Sequence, residues 1–81
     1  MLSPEDSKRF ESYFGMFGTP EWKMFIKEIS KTCHDARFGM ADLNSEEDRL
    51  ILKGRIQAME YIMHFETMLV NDYENRMEFD R

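Results

Sequence analysis

The amino-acid sequence predicts an all-α protein, in which a short N-terminal helix precedes an antiparallel helical hairpin with a long C-terminal helix. Three observations lead to this fold class. Apolar side chains recur every three or four residues in three segments, which is the spacing of one helix face. A helix-capping residue stands before each segment, and glycine or asparagine residues separate the segments. We interpret residues 1–81 as a single helical domain.

The first helix is predicted over residues 4–16. Ser3 can cap it, and Pro4 suits the first helical position because its missing N–H would have no partner there. Four aromatic residues then share one face at spacings i, i+3, i+4 and i+7: Phe10, Tyr13, Phe14 and Phe17.

The second helix is predicted over residues 20–37. Thr19 is its capping residue, and Pro20 is its first residue. We expect Gly39 to end it in the left-handed conformation that glycine readily adopts. Its apolar face consists of Trp22, Phe25, Ile26, Ile29, Cys33 and Ala36.

The third helix is predicted over residues 45–77, which is about 50 Å at about 1.5 Å per residue. Asn44 or Ser45 caps it, and three acidic residues, 46–48, stand at the positive end of its dipole. One stripe consists of Leu52, Ile56, Met59, Met63, Val70, Tyr73 and Met77. A second stripe beside it consists of Ile51, Ala58, Ile62, Phe65 and Leu69.

The second helix is long enough to cover only half of the third. We expect its residues Trp22, Phe25, Ile26 and Ile29 to pack on Leu52, Ile56, Met59 and Met63, with Phe10, Phe14 and Phe17 covering one end. Gly54 costs a helix about 1 kcal/mol relative to alanine. We expect it to allow the close approach of a backbone or of a ring such as Trp22, and the alternative is a kink at Gly54.

The far half of the third helix is therefore predicted to lack an intrachain neighbour and to bind a second copy or a foreign protein. Fraying of its last turns is the alternative. The predicted partner-binding residues are Phe65, Glu66, Met68, Leu69, Asp72, Tyr73, Glu74, Met77, Glu78 and Asp80.

The net charge of −5 is concentrated at the C-terminal end, where residues 60–81 carry six acids and two bases. An acidic end repels phosphate backbones and anionic lipids, so we expect no direct binding to nucleic acid or membrane. No apolar run reaches the roughly 20 residues of a membrane span. Acids occupy the N-terminus where a signal peptide would be apolar. A lone cysteine, Cys33, suits a reducing compartment, and we expect the cytoplasm of a bacterial host.

Residues that could support catalysis or metal binding lack the required spacing. Cys33, His34 and Asp35 are adjacent, and successive helical residues point about 100° apart, so they cannot form a relay. Two histidines and one cysteine are too few for a typical zinc site. Glu60 and His64 do not have the Glu-x-x-His spacing of di-metal bundles. We therefore predict no enzymatic activity, cofactor or metal, and a small hydrolase or metal protein is the weakest alternative.

Two stretches, YFGMFGTPEWKMFIKEI at 13–29 and EEDRLILKGRIQAMEYIMHFETMLVNDYEN at 46–75, resemble a group of small helical proteins of tailed bacteriophages. The shared residues are Phe17, Thr19, Pro20, Trp22 and Lys23, then Lys53, Gly54 and Ile56. The resemblance covers about two thirds of the chain and implies a phage origin, but its motifs concern packing and carry no chemistry.

These observations predict a non-enzymatic protein–protein interaction module that modulates a host protein through its C-terminal helix and acidic tail. Such a module can act as an inhibitor by occupying a surface that normally binds nucleic acid. The alternative is a structural component of a virion or of its assembly, in which the long helix packs against copies of itself.

Overall fold

A computed structural model describes residues 2–79, and the described chain is made of helices and short connections. Helix α1 spans Pro4–Phe17, α2 spans Pro20–Gly39, and α3 spans Glu46–Phe79. A single 3₁₀ turn, Met40–Asp42, follows α2. Residues 2–79 contain no strand, which confirms the all-α prediction.

The first two helices begin where the capping residues predict. The Ser3 hydroxyl oxygen accepts a hydrogen bond from the Asp6 backbone N–H at 3.1 Å. The Thr19 hydroxyl accepts one from the Trp22 N–H at 3.2 Å and donates one to the Met16 carbonyl at 2.7 Å. Thr19 therefore joins the end of α1 to the start of α2, which leaves little freedom in this connection.

Helix α3 begins after Ser45, whose hydroxyl oxygen lies 3.4 Å from the Asp48 backbone nitrogen that donates to it. Of the two predicted caps, Ser45 is thus the one used. The predicted helix bounds are correct to within two residues. The prediction for Gly39 is wrong in conformation: its φ of −69° and ψ of −18° are helical, and the chain continues into the 3₁₀ turn.

Gly54 lies inside α3, which is one helix of 34 residues. A Cβ atom placed on Gly54 would meet no heavy atom within 4 Å outside the neighbouring helix backbone. The prediction that Gly54 admits a close neighbour is therefore wrong. The Trp22 ring packs at a centroid distance of 5.1 Å on Phe17.

The intrachain contacts divide the protein into two compact units. The terminal unit contains residues 2–23 and 64–79 of the described chain, and the central unit is Met24–Met63. Helices α2 and α3 each contribute residues to both units. Trp22 belongs to the terminal unit, whereas Leu52, Ile56, Met59 and Met63 belong to the central unit, so its packing on them stays a prediction.

The terminal unit has an aromatic core formed by α1 and the C-terminal half of α3. Phe10, Phe17 and Leu69 are buried, with Phe10 only 1% exposed. Six further side chains pack against them: Leu2, Tyr13, Phe14, Trp22, Phe65 and Tyr73. Most of the close ring pairs between the two helices meet edge to face, a favourable geometry for aromatic side chains.

The order of these contacts gives the relative direction of α1 and the C-terminal half of α3. Near the start of α1, Asp6 binds Arg76 at 3.2 Å. Farther along, Phe10 lies 5.3 Å from Tyr73, and Tyr13 lies 5.4 Å from Phe65. Residue numbers rise in α1 while they fall in α3, so the two segments are antiparallel.

This packing contradicts the prediction that the far half of the third helix lacks an intrachain neighbour. Helix α1 covers it, and Leu69 is 5% exposed. The aromatic face of α1 is broad enough to bury one apolar stripe of α3. The sequence predicts only that Phe10, Phe14 and Phe17 cover one end of the hairpin. The sequence alone does not say which apolar face pairs with which.

The central unit has a much smaller core. Cys33 and Ile56 are its buried hydrophobic residues. The burial of Cys33 confirms its interpretation as a small core side chain. On the surface of this unit, Arg37 forms a salt bridge with Glu60. Arg49 donates two hydrogen bonds to the Leu43 carbonyl, which hold the connection before α3.

Candidate protein-binding surface

The structure separates the predicted partner-binding residues into those that hold the fold and those that face solvent. Phe65, Leu69 and Tyr73 belong to the aromatic core of the terminal unit. Their apolar surface is used within the chain, so they are poorly placed to form a partner surface. Asp80 lies outside the described residues.

Exposed candidates lie on another side of the same half of α3. We call this surface the acidic face, and it consists of Glu66, Val70, Glu74, Met77 and Glu78. These residues follow one another at helical spacing, about 100° around the helix from the side that meets α1. Met77 is 42% exposed, Val70 is half-buried, and the three glutamates are exposed.

The glutamates of the acidic face have no oppositely charged partner in the described part of the chain. Within residues 2–79, Glu66, Glu74 and Glu78 form no salt bridge. Carboxylates on one helix face that are not neutralised locally project a negative potential into solvent. The acidic face therefore favours a basic binding surface.

Asp72 behaves differently, because Arg76 neutralises it. The Arg76 guanidinium binds Asp72 at 3.2 Å and Asp6 at 3.2 Å, and it lies 5.5 Å from the centre of the Phe10 ring. Exposed ion pairs of this kind are worth about 0–1 kcal/mol each. The Arg76–Asp6 pair joins the start of α1 to the end of α3, whereas the Arg76–Asp72 pair lies within α3 and makes Asp72 less available to a partner than the glutamates. Met68 is 47% exposed but lies on another side of α3.

The surface depressions in the terminal unit are open to solvent. One lies along the acidic face and is lined by Tyr73, Glu74, Asn75, Met77 and Glu78. Another lies over α1 and is lined by Ser7, Phe10, Glu11, Phe14 and Tyr73. Small-molecule sites bury most of the ligand surface, so these open depressions would enclose a small ligand only in part.

The residues considered above as candidates for catalysis or metal binding do not form one site. Cys33 is buried, whereas the exposed His34 ring packs on Phe38 at 4.8 Å. A hydrogen bond with the Cys33 side chain and the charge of Glu60 raise the pKa of Arg37 above its usual value. Since arginine is already charged at physiological pH, this shift creates no titratable switch. Residues 2–79 hold no group of three or more His, Cys, Asp or Glu side chains that could bind a metal ion.

Comparisons with known proteins leave the function to be argued from these residues. No protein-family model matches the chain, and no curated protein or solved structure is significantly similar to it. Nor does the described part of the chain contain a helix that is both long and apolar enough to cross a membrane.

The central unit has an exposed apolar surface that the sequence does not predict. We call it the outer face of α3, and it consists of Leu50, Ile51, Gly54, Ala58 and Tyr61. Leu50 is 63% exposed, Ile51 51% and Tyr61 58%. The helical spacing places Ile51 and Ala58 in the second apolar stripe, which predicts that they belong to one broad buried face. No pattern in the sequence separates these exposed residues from the buried part of the stripe.

Proposed function

We propose that the protein is a non-enzymatic module that binds another protein through the acidic face of α3 and modulates it. The observation that carries this proposal is a set of three exposed glutamates that form no salt bridge with any residue from 2 to 79, beside the exposed side chain of Met77. The aromatic core fixes the same helix segment from another side. A charged surface on a packed helix needs little ordering when it binds, which lowers the entropic cost of association.

The chemistry of the acidic face favours a protein target with a basic surface. Complementary charges increase the association rate and restrict the choice of partner. Met77 is flexible and polarizable, so it can adapt to apolar groups among the basic ones. Surfaces that bind nucleic acid have this composition. Given the resemblance to phage proteins, the proposed target is such a protein in the cytoplasm of a bacterial host, and the proposed effect is inhibition.

A quantitative pull-down tests this proposal. The tagged chain and a Glu66→Lys, Glu74→Lys, Glu78→Lys variant are incubated with bacterial lysate, and bound proteins are identified by mass spectrometry. We expect a basic protein that is retained by the natural sequence and lost with the variant.

A matched control reverses three exposed acids elsewhere, Glu21, Glu28 and Asp35 on α2, and so changes the net charge equally. We expect this control to retain the same protein. Equal loss with both variants would show that net charge and not the acidic face causes binding. Equal retention with both would remove the electrostatic basis of the proposal.

A second candidate function is a structural part of a virion or of its assembly. It is favoured by the length of α3, which at 34 residues spans about 50 Å. Fractionation of purified particles separates the candidates, since a structural part is present in many copies per particle. A modulator of a host protein is absent from purified particles.

Within the central unit, we propose that α2 and α3 form the predicted antiparallel hairpin. The Arg37–Glu60 salt bridge brings the two helices into contact, and the short connection through Met40–Asp42 favours a reversal of chain direction between them. Spin labels on an α2 and an α3 position of this unit would test it. In a hairpin, label pairs equidistant from the connection should remain at similar short distances, because packed helices lie about 8–10 Å apart along their length. Distances that grow steadily away from the connection would exclude a hairpin.

A further inference from the structure

The central unit exposes more large apolar side chains than its small core would suggest. Its hydrophobic residues with less than a tenth of their surface exposed are Cys33 and Ile56. In the same unit, three large side chains of the outer face are each more than half exposed: Leu50, Ile51 and Tyr61. Clustered apolar surface of this kind marks association sites in soluble proteins.

The outer face is a continuous surface of one helix. Leu50, Gly54, Ala58 and Tyr61 are separated by four, four and three residues. At about 100° per residue, these positions and Ile51 fall within a sector of roughly 100° around α3. Large side chains therefore stand at both ends of the face, and two small residues lie between them.

Gly54 gives the face a feature that the single chain does not explain. Its φ is not positive, so its backbone conformation is open to any residue. A Cβ placed there would meet nothing within 4 Å. Within one chain, glycine at this position only costs helix stability relative to alanine. Its absence of a side chain becomes useful if another helix backbone approaches at this point.

We infer that the outer face binds the outer face of a second copy of this chain, with the two α3 helices antiparallel and crossing at Gly54. A two-fold axis at Gly54 places Leu50 of each copy opposite Ala58 of the other, so that a large side chain meets a small one. Such self-complementarity is what a symmetric dimer requires. The outer face and the acidic face have no residue in common.

The available area sets the strength of the association. Each of the three half-exposed large side chains offers on the order of 100 Å². Two copies would then bury about 600 Å² from these side chains, and the helix backbone at Gly54 and the flanking residues add to it. Stable interfaces bury about 1,200–2,000 Å² in total. We therefore expect a dimer that dissociates on dilution and not a permanent one.

Sedimentation velocity of the full chain from about 1 µM to about 1 mM tests the inference. The mass should rise from that of the 9.8 kDa chain towards twice that value. Leu50→Glu should remain monomeric throughout. Met24→Glu introduces the same charge at a side chain that is 61% exposed on α2, and it should associate like the natural sequence. Far-UV circular dichroism should show that both variants are folded.

Several outcomes would overturn the inference. A chain that is monomeric at every concentration has no such dimer. Association that Leu50→Glu leaves unchanged uses another surface. A monomeric chain that binds neutral phosphatidylcholine vesicles, or a foreign protein, in a manner that Leu50→Glu abolishes would show that a different occupant covers the outer face.

Cysteine cross-linking tests the register. Gly54→Cys should form an intermolecular disulfide under mild oxidation, and Met68→Cys, which is also exposed, should not. A mixture of Leu50→Cys and Ala58→Cys should give the mixed disulfide in preference to either homodimer. Preference for the two homodimers would contradict the antiparallel register. Because none of these substitutions alters the acidic face, the result is independent of the pull-down that tests the proposed function.

Discussion

Replacing Phe10 with alanine removes the most deeply buried side chain of the terminal unit. Phe10 is 1% exposed, and its ring lies 5.9 Å from Phe14 and 5.3 Å from Tyr73. Truncation of a buried phenylalanine costs about 3–5 kcal/mol through lost transfer energy and the cavity left behind. A chain of 81 residues has a total stability of about 4–12 kcal/mol. Phe10→Ala should therefore remove a large share of the free energy of unfolding.

Urea unfolding followed by far-UV circular dichroism measures this loss. If the variant is too unstable to give a folded baseline in urea, the lost stability is read from the midpoint of thermal unfolding. This midpoint falls by about 4–8 °C for each kcal/mol lost. The matched control is Phe38→Ala, because Phe38 is 73% exposed and contacts the His34 ring on α2. We expect the control to cost less than about 1 kcal/mol. A similar cost for both substitutions would refute the assignment of Phe10 to the core.

Three further predictions concern helix ends and Gly54, and each is read from urea unfolding. Ser3→Ala should cost about 1 kcal/mol through loss of the α1 cap, and an unchanged midpoint would show that the cap contributes nothing. Thr19→Ala should cost about 1–2 kcal/mol, because both its hydrogen bonds are lost, whereas Thr19→Ser should retain most of that stability. Gly54→Ala, measured in dilute solution, should stabilise the chain by about 1 kcal/mol; destabilisation would mean that Gly54 has a close neighbour within the chain.

The helices could be predicted from sequence because their signals are local. Ser3, Thr19 and Ser45 each accept a hydrogen bond from the N–H three residues later, and each is followed by apolar residues at helical spacing. Such caps depend on neighbouring residues alone. The ends were less well defined, since a helix can extend by a turn without a change in sequence pattern, as α2 does through Gly39.

Tertiary partners could not be predicted in the same way. An apolar face on one helix specifies that it will be buried, but several other faces can bury it. The sequence therefore predicts that Phe65 and Leu69 face a second copy or a foreign protein, although the aromatic face of α1 covers them. The hydrogen bond to Thr19 and the contact with the Phe17 ring place Trp22 in the terminal unit, which the apolar face of α2 does not specify by itself.

The candidate surfaces were predictable only in part. The exposed glutamates could be found from charge, because the C-terminal quarter of the sequence is acidic. Their separation from Phe65, Leu69 and Tyr73 required knowledge of which side of α3 meets α1. The outer face could not be found from periodicity, since Ile51 and Ala58 read as a continuation of a buried stripe. Only the exposure of Leu50 and Ile51 distinguishes it.

The most direct test of the proposed function is the salt dependence of binding to the protein that the acidic face captures. Affinities of the natural sequence and of the Glu66→Lys, Glu74→Lys, Glu78→Lys variant are measured from about 50 mM to about 500 mM salt, where screening of exposed charges increases strongly. We predict that the natural sequence loses at least about tenfold in affinity and that the variant binds weakly throughout. Equal affinity of the two proteins at every salt concentration would contradict binding through the acidic face.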